Sequence, residues 1–231
     1  MCLNLKKGAI FVADSHFSEV NVEFLSFLEK LKKKEIETSQ LFLMGDMFDF
    51  ISGESRYFVK INQKLIDIIN ELSHNIEIIY LEGNHDYNLQ KLFPKLKVYK
   101  RESQPIFAKY ENKTIALAHG DIYTPKGYDI YCKIIRNSAL LIFLNFIDFN
   151  YWLSKKIYNK LIKKSICSKM KDFDSFAKKR LSYYNSDIVV EGHFHQGKHY
   201  EEKNKLYVNI PSLCCNKKYT IFDGKFITTQ L

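Results

Sequence analysis

Leu41-Phe42-Leu43-Met44-Gly45-Asp46-Met47-Phe48-Asp49 runs from an apolar, strand-like stretch into a glycine and two carboxylates. The same step recurs four times. Ala9-Ile10-Phe11-Val12 leads to Asp14-Ser15-His16, and Ile76-Glu77-Ile78-Ile79-Tyr80-Leu81 to Gly83-Asn84-His85-Asp86. Ile115-Ala116-Leu117-Ala118 leads to His119-Gly120-Asp121, and Ile188-Val189-Val190 to Gly192-His193-Phe194-His195. Short apolar runs closed by turn residues read as buried strands. In an α/β sheet the carboxyl ends of such strands gather distant residues into one crevice.

One Asp-x-His is a weak signal, since the histidine can be a core residue and the aspartate a helix cap. Five blocks change that reading, because five of the seven histidines fall within them. Carboxylate, imidazole and amide donors without thiolate suit borderline or harder divalent ions: Mn²⁺ first, with Fe²⁺, Co²⁺ or Zn²⁺ as alternatives. Two such ions about 3.5–4 Å apart can stabilise the attacking and leaving oxygens of a phosphate ester or anhydride and lower the pKa of bound water. Asp46 is the preferred carboxylate to sit between them. His85 is the candidate to bind the phosphoryl group or protonate the leaving oxygen, with the adjacent Asp86 expected to fix its tautomer.

Around the blocks, strands alternate with helical segments. Val20 to Lys34 and Phe58 to Leu72 each carry apolar residues on one helical face. Asp223-Gly224 marks a terminal hairpin. The pattern breaks between Pro125 and Tyr184, which reads as helical throughout. There, Ala139 to Leu153 is apolar on nearly every side, interrupted only by Asn145, Asp148 and Asn150. A helix apolar all round is either buried or faces something apolar. From Lys126 to Arg180 the segment holds 13 Lys and Arg against 4 Asp, while the whole chain is +9, so the excess charge is confined there. A charge run is usually a solvated face. Beside an apolar stretch it also suits an anionic lipid interface or an acyl-chain pocket. Spaced aromatic stacking platforms are lacking, which argues against nucleic acid. No protein partner is called for.

Composition, with 46% hydrophobic residues, fits one globular domain with an insertion. The apolar run after the first residues is too short for a signal-peptide core, and no run of about eighteen apolar residues occurs, so a cytoplasmic protein is expected. Cys2, Cys132, Cys167, Cys214 and Cys215 are odd in number and lack CxxC spacing. That usage agrees with a cytoplasmic protein. Adjacent Cys214-Cys215 read as two ordinary small residues beside a strand rather than a metal or redox device, and no function is assigned to them.

The ordered blocks resemble those of the calcineurin-like metallophosphoesterase superfamily over the whole chain. The resemblance implies a four-layer αββα sandwich formed by residues 1–124 and 185–231, with 125–184 as a helical cap. It implies one ion held by Asp14, His16, Asp46 and His195, and a second held by Asp46, Asn84, His119 and His193. Asp49 and Asp121 would orient ligands. Within the superfamily the chain is similar to the UDP-2,3-diacylglucosamine diphosphatases of the lipid A pathway, whose basic, apolar insertion lies between the same two blocks. That implies an acylated nucleotide-sugar substrate, substrate contacts from Asn84, Tyr128, Lys164 and Lys169, and peripheral association with the cytoplasmic face of the inner membrane. The chain departs from that pattern at His85, where arginine is common, and at Gln196, where a basic residue is common. A soluble phosphodiesterase or phosphatase acting on nucleotides, phosphoproteins or nucleic acid is the competing expectation.

Overall fold

A computed structural model describes residues 2–231, in which two six-stranded sheets pack face to face. One sheet runs, edge to edge, through Phe226–Gln230, Lys218–Phe222, Ala9–Val12, Gln40–Leu43, Glu77–Leu81 and Lys97–Tyr99. The other runs through Leu3–Asn4, Ile106–Tyr110, Lys113–Ala118, Ile188–Glu191, Lys205–Asn209 and His199–Glu202. The central strands of each sheet are parallel. Their carboxyl ends therefore emerge on one edge, and all five polar blocks lie there.

The alternation of side chains along each strand builds the layers. Ile10, Val12, Leu41, Leu43, Ile78 and Tyr80 face one way and pack on helices Glu23–Lys32 and Gln63–Leu72. Phe11, Phe42, Ile79 and Leu81 face the other way, onto Ile115, Leu117, Val190 and Val208 of the second sheet. Phe11 and Phe42 stack at 4.5 Å in this middle layer. The outer face of the second sheet, with Ala116, Val189 and Tyr207, is covered by Phe173, Ala177 and Leu181 of helix Phe173–Leu181. Helix, sheet, sheet, helix is the four-layer order.

Local chemistry adjusts the expected boundaries. The first helix begins at Glu23 rather than Val20, leaving Val22 as an exposed N-cap residue. The Phe58–Leu72 segment is two helices, Arg56–Ile61 and Gln63–Leu72. They break at Asn62, whose side-chain amide donates to the Phe58 carbonyl. That bond competes with the backbone ladder, as asparagine side chains do. Gly224 takes a positive φ in the terminal hairpin.

The 125–184 segment divides by what it touches. Lys126–Ile135, Ser138–Ile147 and Trp152–Leu161 project from the sandwich, whereas Phe173–Leu181 is a layer of it. The apolar helix Ser138–Ile147 has no buried residue; Phe146 is 87% exposed and Phe143 58%. Burial against the main domain, one of the two expectations for this stretch, is not what occurs. No single helix among the described residues is long and apolar enough to cross a membrane; Lys126–Ile135 and Ser138–Ile147 reach that length together, bent by 52°.

Candidate metal centre

Five of the expected ligands occupy backbone that most residues avoid. Asp14, His16, Asp46, His193 and His195 have φ between +41° and +60°. Asp, Asn and His tolerate this left-handed region better than other residues with a Cβ. Holding them there costs on the order of 1–3 kcal/mol each, which the surrounding packing must offset. The result is a set of tight turns that aim each side chain back over the sheet edge.

The side chains converge. Asp46 Oδ2 lies 3.5 Å from His119 Nε2 and 3.9 Å from His16 Nε2, between the two groups of donors. Asp14 Oδ1 is 3.3 Å from His195 Nε2. On the other side, His119 Nε2 lies 3.3 Å from Asn84 Oδ1 and 3.2 Å from His193 Nδ1. Asp14, His16 and His195 can together hold one cation, and Asp46, His119 and His193 another.

Whether these residues fit metal ions is decided by what their polar atoms lack. Asp14 Oδ1 and both ring nitrogens of His16 are buried with no hydrogen-bond partner. Buried polar atoms are otherwise almost always satisfied. Backbone carbonyls fix the tautomers of two other imidazoles: His119 Nδ1 donates to Met44 O at 2.9 Å and His195 Nδ1 to Ile166 O at 3.0 Å. Each Nε2 is thereby turned inward as a lone pair, as metal-ligating histidines require. Lone pairs facing lone pairs around a shared carboxylate are a cation site, and the donor set fits it.

Electrostatics agree. Burial and the neighbouring imidazoles depress His193 to about 4, and burial, only partly opposed by Asp46, takes His16 to about 4. Both are neutral donors near pH 7. Burial disfavours charge on His119 and His195, yet Asp46 raises the first well above its ordinary value and Asp14 raises the second. Burial likewise opposes ionisation of Asp46 and Asp14, but their imidazole partners hold both pKa values low. Asp46 and Asp14 thus favour protons on His119 and His195, at the Nε2 atoms that would face ions. Metal binding must expel them, so the affinity for Mn²⁺ should fall as pH drops, by up to about tenfold per pH unit for each proton released. Calorimetry in buffers of different ionisation enthalpy should register proton release from His119 and His195; heats independent of buffer would refute it.

The neighbours differ in one respect from expectation. Asp86 does not touch the His85 ring. It is buried beneath the site, where Oδ1 accepts from the backbone of Asp46 and Gly83, and Oδ2 from the backbone of Met47 and the Tyr80 hydroxyl. Its position at the start of the short strand Asp86–Tyr87 points the carboxylate down between two loops rather than along to its neighbour. The His85 tautomer is set instead by the Asp49 carbonyl, 2.6 Å from Nδ1. Asp49 also brings Oδ1 to 3.7 Å from His16 Nδ1. Asp121 accepts from Arg101 Nε at 2.8 Å and keeps a buried, unpartnered oxygen.

Several supporting residues carry no local sequence signal. Gln104 accepts from the His119 amide at 2.6 Å, and Asn209 donates to the carbonyls of Glu191 and Gly192. Buried Arg180 joins Glu191 to the carbonyls of Gly120 and Ile122. Arg136, just past helix Lys126–Ile135, donates to the Gly83 carbonyl and lies 3.5 Å from buried Glu82. It ties the projecting helices to the loop that carries Asn84 and His85. The other docking points follow ligand blocks too: Tyr158 reaches the Glu19 amide, Asn145 the backbone of Glu54 and Arg56, and Asn88 the Arg136 carbonyl. Of the expected substrate contacts, Tyr128 stacks near Arg101; burial raises the carboxyl pKa of Asp49 above its ordinary value, and Lys164 is near enough to oppose this only in small part. Lys169 lines a cavity of about 240 Å³ with His193 and His195.

A model of the calcineurin-like phosphoesterase family matches residues 9–197, a span that begins at the first block's strand and ends just past the last histidine pair. The chain belongs to the calcineurin-like phosphoesterase family. It is a metal-dependent hydrolase, and its two packed sheets with helices outside are the four-layer order that the resemblance implied. This phosphoesterase is 26% identical over 211 residues to a UDP-2,3-diacylglucosamine hydrolase of Wigglesworthia glossinidia brevipalpis, covering 87% of this chain and 84% of that one. It is 24% identical over 226 residues to one of Blochmanniella pennsylvanica (strain BPEN), with 90% and 88% covered. A third, of Vibrio atlanticus (strain LGP32), is 25% identical over 201 residues, 80% of each chain. Although the cysteines show no paired spacing, Cys167 and Cys215 of this phosphoesterase form a disulfide across 48 residues. Sequence spacing could not reveal it, because the fold alone brings the two together.

Proposed function

We propose that this phosphoesterase cleaves the pyrophosphate of UDP-2,3-diacylglucosamine, giving UMP and 2,3-diacylglucosamine 1-phosphate. The observation that carries this reading is an apolar helix with no buried residue beside the metal-ligand loops. Ile142, Phe143, Phe146, Ile147, Phe149 and Trp152 are all more than half exposed on that helix and the turn after it. Lys155, Lys156, Lys160, Lys163 and Lys164 follow directly, all exposed. A contiguous apolar patch with a basic rim favours acyl chains and anionic headgroups. On this reading the chain works at the cytoplasmic face of the inner membrane, lying on it rather than crossing it. The names of the curated relatives support the same substrate.

Bound divalent ions, Mn²⁺ for preference, would supply Lewis-acid polarisation of the phosphoryl group and a water acidic enough to attack at neutral pH. Asp14, His16, Asp46 and His195 would hold one ion, and Asp46, Asn84, His119 and His193 the other. His85 stands at the mouth of the site, its ring 5.0 Å from that of His16 and its amide on Asp46 Oδ1. Because Nδ1 is committed to the Asp49 carbonyl, Nε2 is the atom left to face the substrate, and once protonated it would donate to a phosphoryl oxygen or the leaving group. Tyr128, Lys164 and Lys169 would contact the substrate from the cap side.

Replacing Phe143 and Phe146 together with Asp should abolish turnover of the diacylated substrate in Mn²⁺ while sparing a small artificial phosphodiester. Paired assays of UMP and nitrophenol release measure this. Equal loss on both substrates would mean that the helix supports the core. Undiminished turnover of the lipid substrate by the variant, or none by the unaltered protein, would favour the competing soluble phosphodiesterase.

A further inference from the structure

Three cysteine sulfurs, of Cys167, Cys214 and Cys215, lie within 4.8 Å of one another beside His195. Their place in the fold gives the cluster its meaning. Cys215 sits on the short helix Leu213–Asn216, which is fastened to the first ligand block: Leu213 N donates to Ala13 O, Cys214 N to Asp14 O, and Ser212 Oγ to Asp14 O. Cys167 sits in the return segment between helices Trp152–Leu161 and Phe173–Leu181. That segment is fastened to the last ligand block: His195 Nδ1 donates to Ile166 O, Gln196 Nε2 to Ser168 O, and Met170 N to Gln196 Oε1. Asp14 and His195 face each other across 3.3 Å. The disulfide thus links the two supports of one facing ligand pair.

We propose that Cys167 and Cys215 form a reversible dithiol–disulfide site whose oxidised form braces Asp14 against His195 and seats the return segment on the metal centre. The proposal is independent of the substrate. Cys167 is exposed and Cys215 half-buried, so an incoming thiol meets Cys167 first. A small dithiol reduces the site in two steps. Its thiolate attacks Cys167 Sγ, forming a mixed disulfide; the bond to Cys215 breaks, and Cys215 leaves as a thiolate that takes up a proton. The second thiol of the reductant then displaces Cys167 and becomes half of a cyclic disulfide. Two electrons and two protons have passed to the protein. Oxidised dithiol reverses both steps. In the reduced form the return segment keeps its hydrogen bonds but loses its covalent tie, so Ile166 O holds His195 Nδ1 less firmly. Cys214, with its sulfur 3.7 Å from that of Cys215, stays a thiol throughout.

The test counts thiols and measures Mn²⁺ binding on the full chain. After treatment with oxidised dithiothreitol, alkylation in denaturant should label Cys2, Cys132 and Cys214 only, and proteolytic peptides should carry a Cys167–Cys215 cross-link. Reduction should expose all five thiols and weaken Mn²⁺ binding several-fold by calorimetry, reversibly. Cys167→Ser and Cys215→Ser should bind Mn²⁺ like the reduced protein whatever the treatment, while Cys214→Ser should still respond. Five reactive thiols after oxidation, a Cys214–Cys215 bond instead, or equal Mn²⁺ affinity in the two redox forms would each overturn the proposal.

Discussion

Asp46→Asn is expected to lower turnover by about 10³-fold on any phosphoester substrate, the upper scale for loss of one preorganised electrostatic group. Asp46 Oδ2 approaches both His119 and His16, and Oδ1 is committed to the His85 amide. An amide of the same shape keeps the volume but removes the charge that offsets two cations. Its NH₂ group has no lone pair to offer an ion, and in the Oδ1 place it would face the His85 N–H, where only an acceptor serves. The fold should survive, because the replacement is isosteric and no packing is lost. Steady-state rates, with metal content by elemental analysis and thermal melting on the same preparation, decide the matter. Two ions retained with unimpaired turnover would remove Asp46 from the centre.

Gly83→Ala should be nearly as damaging, although Gly83 donates no side chain. A Cβ there would stand 2.2 Å from Asp46 Oδ1 and 2.6 Å from Asp46 N, so a backbone atom as well as the carboxylate blocks it. Relief requires one of two ligand-bearing loops to shift, and displacements of about 1 Å at a reacting centre cost roughly 10²-fold. The same loop carries Asn84 and His85 and is held by Arg136 and Asp86, so the shift cannot be confined to one residue. Weakened Mn²⁺ binding together with a fall in kcat of about that size is the expected result. A variant with wild-type kcat and metal content would show that the two loops yield more easily than their packing implies.

Much of this centre was legible in the chain because its signals are local. An apolar run followed within a few residues by Asp, His or Asn states both a strand and what stands at its end. Such signals located Asp14, His16, Asp46, Asn84, His119, His193 and His195, which the fold brings together. Asp86 was misread because adjacency in sequence does not give direction. On a strand its side chain points beneath the sheet edge, where four donors await it. Gln104, Arg101, Arg136, Arg180 and Asn209 act on residues of the ligand blocks 15 or more positions away, and no local pattern marks them.

The sequence by itself determined the succession of strands and helices and the polar groups at the strand ends, because apolar runs and the residues that close them are properties of neighbouring residues. The layer order came with the family resemblance that the ligand blocks carry. Only the tertiary structure decided three things. It settled that the apolar helix Ser138–Ile147 stands in the open, since burial depends on whether another element covers it. It divided residues 125–184 between projecting helices and the Phe173–Leu181 layer, since both are helical in pattern and differ only in what they touch. It also joined Cys167 to Cys215, a contact across 48 residues that exists because the return segment and the Leu213–Asn216 helix meet over the same pair of ligands.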